Sequence, residues 1–190
     1  MSWPVRVGLS VAVLAALAAG RAVDAALPVE HTDERPFVHS ATLGERVGME
    51  FADVTVDAVH TAKALDSVQG RVGTPGRWLV VDLTVVARGR PLSKPGISLV
   101  DSSGRTFASD PRSGYDWSAA PTGVRWRAHI PFEIPRDSLA GAVLVFSRNA
   151  TDNRRDDVAR VDLGIAGDDV QALWDTENTI ELGSAEMVEP

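Results

Sequence analysis

Residues 78–87, WLVVDLTVVA, constrain this chain more than any other segment. Side chains along a strand alternate between its two faces, so Leu79, Val81, Leu83 and Val85 share one face and Trp78, Val80, Asp82 and Thr84 the other. The first face is wholly apolar and the second half so, which is the pattern of a strand in the middle of a sheet. Residues 124–134 alternate as cleanly. Trp126, Ala128, Ile130, Phe132 and Ile134 face inward, while Arg125, Arg127, His129, Pro131 and Glu133 face out. Proline has no N–H to give to a ladder, so Pro131 places this strand at an edge or turns the missing donor to solvent. No long 3.6-residue pattern competes with these strands before the tail, and the chain reads as all-β.

Shorter runs separated by Gly, Pro, Asp and Ser clusters extend the pattern. Residues 49–59 carry Met49 and Phe51 on one parity and Val54, Val56 and Ala58 on the other, a switch that takes one extra residue and predicts a bulge near Ala52 and Asp53. Residues 60–76 are polar and rich in Gly and read as a connection holding at most one short strand. Residues 97–100 and 105–108 flank Asp101-Ser102-Ser103-Gly104, the composition of a hairpin turn with Gly in the left-handed position. With residues 142–146 and 158–163 the count reaches seven or eight strands, which predicts an antiparallel β-sandwich over residues 44–166. Residues 26–43, with two prolines and no periodicity, read as a linker. Residues 167–190 form an acidic tail in which Val170, Leu173 and Trp174 have helix-like spacing, followed by Ile180 and Leu182. A short helix or an extended segment is expected to dock there.

Ahead of the linker, residues 7–20 (VGLSVAVLAALAAG) are uncharged and mostly apolar between Arg6 and Arg21. As a hydrophobic helix this run spans only about 21 Å, against the roughly 30 Å of a bilayer's hydrocarbon core. Residues 1–25 therefore read as a signal peptide, with Val23 and Ala25 suited to cleavage, or as a retained signal anchor, a transmembrane helix whose flanking arginines reach the interfaces. Arg6 keeps the N-terminus cytoplasmic in either case and puts the rest of the chain outside, secreted or tethered. The chain has no cysteine, which excludes disulfides, thiolate catalysis, cysteine-ligated metals and a lipidated N-terminal Cys. Its net charge of −7 and lack of basic runs exclude the electrostatic footprint of a nucleic-acid-binding protein.

The segments GRWLVVDLTV (residues 76–85), SLVDSSGRTF (98–107), PTGVRW (121–126) with PFEIP (131–135), and LAGAVLV (139–145) together resemble a known group. These are the immunoglobulin-like extracytoplasmic domains of unknown function carried by secreted, lipid-anchored or membrane-tethered proteins of Gram-positive and actinomycete-type bacteria. The resemblance covers about residues 44–165. It implies an immunoglobulin-like sandwich outside the membrane and brings no catalytic residues with it. Lipid-anchored members need a Cys after the apolar run, so its absence here leaves secretion or a protein anchor.

Chemistry-bearing residues are sparse. His31, His39, His60 and His129 are scattered, with no i, i+4 pair and no HExxH, and read as solvated unless folding unites them. There is no GxSxG elbow and no phosphate-binding P-loop. Asp152, Asp156 and Asp157 in one loop are a weak calcium candidate, opposed by Arg154 and Arg155, which stand between them as ion-pair partners. Tyr115, Asp116 and Trp117 set two aromatic faces beside a carboxylate, a chemistry suited to stacking on a sugar or to a protein contact; the competing reading folds Trp117 back over the end of the sandwich. Asp82 reads as an outward-facing residue of its strand. The expectation is a non-enzymatic interaction or accessory module at the outer face of the cytoplasmic membrane, with a protein partner in the membrane or envelope and no cofactor. The alternative is a carbohydrate- or small-ligand-binding sandwich using Tyr115, Asp116 and Trp117. A cell-envelope hydrolase built on carboxylates such as Asp116 and Glu133 ranks below both.

Overall fold

The computed structural model describes Arg21, residues 37–150 and residues 157–188. The chain divides into two units, Met1–Arg35 and Pro36–Pro190. In the first, only Arg21 is described, an exposed helical residue. The hydrophobic helix expected over residues 1–25 and the first part of the linker lie outside the described residues. Among the described residues no helix is long and apolar enough to cross a membrane.

The second unit contains eleven described strands: β1 (Phe37–Thr42), β2 (Arg46–Gly48), β3 (Ala52–Ser67), β4 (Gly70–Ala87), β5 (Gly96–Val100), β6 (Thr106–Ala108), β7 (Arg125–Ile134), β8 (Val143–Ser147), β9 (Asp157–Asp162), β10 (Thr179–Glu181) and β11 (Glu186–Met187). One sheet has the order β1-β9-β8-β5-β6, and the other β10-β3-β4-β7-β11 with β2 also paired to β3. All pairings are antiparallel except β1 with β9 and β10 with β3. The two inner faces share one core. Val54, Val56, Leu79, Val81, Leu83, Val85, Ile130 and Phe132 from the larger sheet meet Leu99, Leu144, Phe146 and Val161 from the smaller, all fully buried. Each of the larger side chains is worth about 1.5–3 kcal/mol when taken out of water. The fold is a β-sandwich.

β4 is the middle strand of its sheet, as its two-faced apolar pattern requires. β7 lies next to the edge, where β11 pairs only with Trp126 and Arg127. The Arg125 carbonyl accepts from the Val188 N–H on that side, so by strand alternation the donor that Pro131 lacks belongs to the same outer edge. The β5–β6 turn is also as expected, with Gly104 at φ +85°.

Several expectations give way. The sheets contain eleven described strands instead of seven or eight, because β2, β10 and β11 are edge pieces of two or three residues, too short to alternate. β1 arises inside the stretch read as linker. Residues 60–76 are not a connection: they continue β3 and β4 through a tight turn at Val68 and Gln69, with Gly70 at φ +105°. The parity switch near Ala52 is made by the turn from β2 into β3, where the Met49 N–H donates to the Ala52 carbonyl at 2.8 Å. The irregularities of β3 fall instead between Val56 and Ala58 and between Ala62 and Ala64.

The acidic tail docks by both modes. Helix α1 (Gly167–Trp174) opens with Asp168 and Asp169, which suit the positive end of its dipole. The Thr61 hydroxyl donates to the Leu173 carbonyl at 2.6 Å. Arg77, only 4% exposed, lies 4.9 Å from the centre of the Trp174 ring and pairs with Glu177 at 2.8 Å. The chain then runs along β3 as β10 and lays Leu182 on a second, smaller core of Ala62, Leu65, Trp78 and Val80.

Candidate functional site

The strand register assigns the outward residues of the six-stranded sheet to rows. Asp53, Val86 and Arg125 make one row, and Thr55, Thr84 and Arg127 the next. Past the first irregularity of β3 come Ala58, Asp82 and His129, then His60, Val80 and Pro131, and then Ala62, Trp78 and Glu133. The apolar end of this face is the part that Leu182 covers. The polar end holds a groove of about 280 Å³ between the β3 bank, with Asp53 and Asp57, and the β7 bank, with Arg125 and Arg127.

Its charges are unevenly matched. Asp53 is satisfied by Arg88, at 2.6 and 3.2 Å, and has Arg46 at 3.4 Å. Among the described residues Asp57 accepts only the Thr84 hydroxyl, at 2.6 Å. Among the described residues neither Arg125 nor Arg127 has a carboxylate within ion-pair distance, although the chain carries a net charge of −7. Guanidinium groups of this kind match carboxylates with two parallel N–H donors.

Beside the groove, folding unites two of the four histidines. The Asp82 carboxylate meets His129 Nδ1 at 2.6 Å and His60 Nε2 at 3.2 Å, one ring from each neighbouring strand. The sequence held half of this signal, an outward carboxylate in β4 and an outward His in β7. The register across the β3 irregularity supplies the other half. Among the described residues no group of three or more His, Asp or Glu side chains could hold a metal ion.

The loop singled out from sequence lies elsewhere. A 3₁₀ turn (Pro111–Ser113), capped by the Asp110 carboxylate, leads into it. The Trp117 indole N–H donates to the Leu92 carbonyl at 2.8 Å, and its ring meets Phe146 edge-on with centroids 6.5 Å apart. Trp117 is thus packed against the core. Tyr115 bridges the two cores, and its hydroxyl is buried without a hydrogen-bond partner among the described residues. Burial, helped by the Asp116 charge, pushes the phenol well above its ordinary range. Tyr115 and the exposed Asp116 line a cleft of about 180 Å³ with Ser67, Leu182 and Ser184, while Trp117 does not.

Of the calcium candidates, Asp152 and Asp156 lie outside the described residues. Asp157 accepts from the Glu50 N–H at 2.6 Å and meets the His39 ring at 2.5 Å, which ties β9 to β1 and to the β2–β3 turn. His31 is outside the described residues. Glu133 is bonded to Thr74 and Arg112.

No protein-family model matches the chain, and no curated protein does. Among solved structures, the chain is similar to the yjhA protein from Bacillus subtilis, with TM-score 0.49 and 15% identity over 65% of this chain and 99% of that one. It is also similar to a conserved hypothetical protein from Bacillus anthracis, with TM-score 0.44 and 14% identity over 56% of this chain and 87% of that one. A third is an uncharacterized beta-sandwich protein from Clostridium difficile 630, with TM-score 0.43 and 9% identity over 67% of this chain and 95% of that one.

Proposed function

We propose that the chain is an exported, non-enzymatic accessory module, secreted or tethered at the outer face of the cytoplasmic membrane, that holds a protein partner on the outer face of its six-stranded sheet. The observation that carries this reading is the groove whose β7 bank presents Arg125 and Arg127 without an ion-pair partner among the described residues. In an acidic protein such a pair costs little in solution and becomes valuable against a carboxylate. Export rests on the apolar residues 7–20 between two arginines. The immunoglobulin-like reading is supported by β4 beside β7 in one sheet, β5, β8 and β9 together in the other, and a first strand parallel to β9.

A photo-crosslinking residue at Val86 of the full chain, expressed in its own cells, tests the docking surface. One envelope protein is expected to crosslink, and to be lost in Arg125→Glu/Arg127→Glu. Crosslinking that survives the double reversal overturns the assignment of this face. N-terminal sequencing of the protein recovered from membrane and medium fractions tests export and cleavage.

The second reading, a small-ligand or carbohydrate site, is favoured by the cleft that Tyr115 and the exposed Asp116 line together with Ser67 and Ser184.

A further inference from the structure

We infer that the groove recognises a partner segment by two opposite charges, a basic side chain set against Asp57 and an acidic one set between Arg125 and Arg127. This rests on the reading of the outer sheet face as the docking surface and names the chemistry of what docks.

The two banks are one strand apart on either side of β4, so they stand about 10 Å from each other at an interstrand spacing of about 4.8 Å. Arg125 and Arg127 share a face of β7, about 7 Å apart along the strand, and a carboxylate between them meets both guanidiniums. On the opposite bank the Asp53 charge is taken up by Arg46 and Arg88, which leaves Asp57 as the carboxylate there with a hydroxyl but, among the described residues, no cation. The floor between is Thr55, Thr84 and Val86, short side chains that admit a chain laid across the strands. Along an extended peptide, residues i and i+2 point the same way about 7 Å apart. That interval, with the reach of the side chains on both partners, bridges the two banks. The fitting sequence is a basic residue at i and an acidic one at i+2. Glu186, opposite Arg127 on β11, is exposed and makes no ion pair among the described residues, so it leaves Arg127 available.

The test titrates the full chain with three labelled, end-capped peptides that differ only at their centre: Lys-Gly-Glu, Gln-Gly-Glu and Lys-Gly-Gln, each flanked by glycines. The doubly charged peptide is expected to bind at least about tenfold tighter than either singly neutralised one. Arg125→Ala/Arg127→Ala should erase its advantage over Lys-Gly-Gln, and Asp57→Asn its advantage over Gln-Gly-Glu. These side chains are on the surface, and an unchanged melting temperature verifies that each variant is folded. Equal binding of all three peptides, or preferences that persist in the variants, overturns the inference. If no peptide binds while the Val86 crosslink persists, the two-charge rule falls and the docking surface stands. Loss of the crosslink's dependence on Arg125 and Arg127 removes the docking surface itself.

Discussion

Tyr115→Phe should stabilise the protein. The Tyr115 hydroxyl is buried and makes no hydrogen bond among the described residues, while the ring packs against both hydrophobic cores. A hydroxyl that gives up water and gains no partner costs about 1–3 kcal/mol. Phenylalanine keeps the ring and its packing, so removing the oxygen recovers part of that cost, offset by the small void left behind. A gain of about 1 kcal/mol is expected, or about 2–4 °C in melting temperature for a chain of this size. Tyr115 is also the only tyrosine, so phenolate absorbance reports it alone. Burial raises its pKa in the folded state, so the native protein holds a proton that the unfolded chain releases above about pH 10. That contribution to stability is complete below pH 10 and lost as pH rises past it. The wild type should therefore show phenolate only as it unfolds, and Tyr115→Phe should lose this alkaline sensitivity. A variant less stable by about 1 kcal/mol would refute the reasoning, because a hydroxyl that stabilises has a partner. The cleft beside Asp116 would then be the place to seek it.

Trp117→Ala should cost about 2–3 kcal/mol in urea or thermal unfolding, through lost contact with Phe146 and the orphaned Leu92 carbonyl; a negligible loss would return Trp117 to the binding surface. For Asp101, burial raises the pKa, but hydrogen bonds from Ser103, Arg105 and Ser138 outweigh it and hold the carboxyl well below the usual range. Its stabilisation is present at neutral pH and lost as pH falls below about 4, so Asp101→Asn should be less stable at pH 7 and less acid-sensitive in a pH series of melting curves. Gly76→Ala would set a Cβ 2.6 Å from the Ile134 carbonyl oxygen, and is expected to destabilise by about 1–3 kcal/mol in a denaturant titration.

The central strands were legible because their apolar residues repeat with period two over ten positions, long enough to specify face and neighbourhood. Strands of two or three residues at the sheet edges carry no such repeat; β10 forms where β3 of the long hairpin offers an edge, and β11 where β7 does. Residues 60–76 misled for a different reason. Their polarity marks the end of a hairpin that reaches solvent, where Gly70 suits the turn and Gly76 the close approach to Ile134 as well as either suits a loop. The candidate site was legible residue by residue but not as a site. Asp82, His129, Arg125 and Arg127 were all read as outward, and Asp57 shares the parity of the outward Asp53 and Thr55, yet His60 joins them only through the register shift in β3, which side-chain alternation alone does not place.

The same face also explains which surface the tail leaves open. Among the outward residues of β4, Trp78 and Val80 are apolar and Asp82 and Thr84 polar, so the face changes character halfway along the strand. The tail follows that change. Leu182 covers the apolar half, with its N–H donating to the Asp66 carbonyl at 2.8 Å. β11 then reaches the β7 edge only at Trp126 and Arg127, at the far end of the sheet. Covering the polar half would strip water from Asp57, Arg125 and Arg127, and the tail, which carries carboxylates but no Lys or Arg, has no cation to repay that cost at Asp57. An occupant of this groove must therefore bring the complementary charges itself, and a neutral or purely apolar segment of equal size should be rejected.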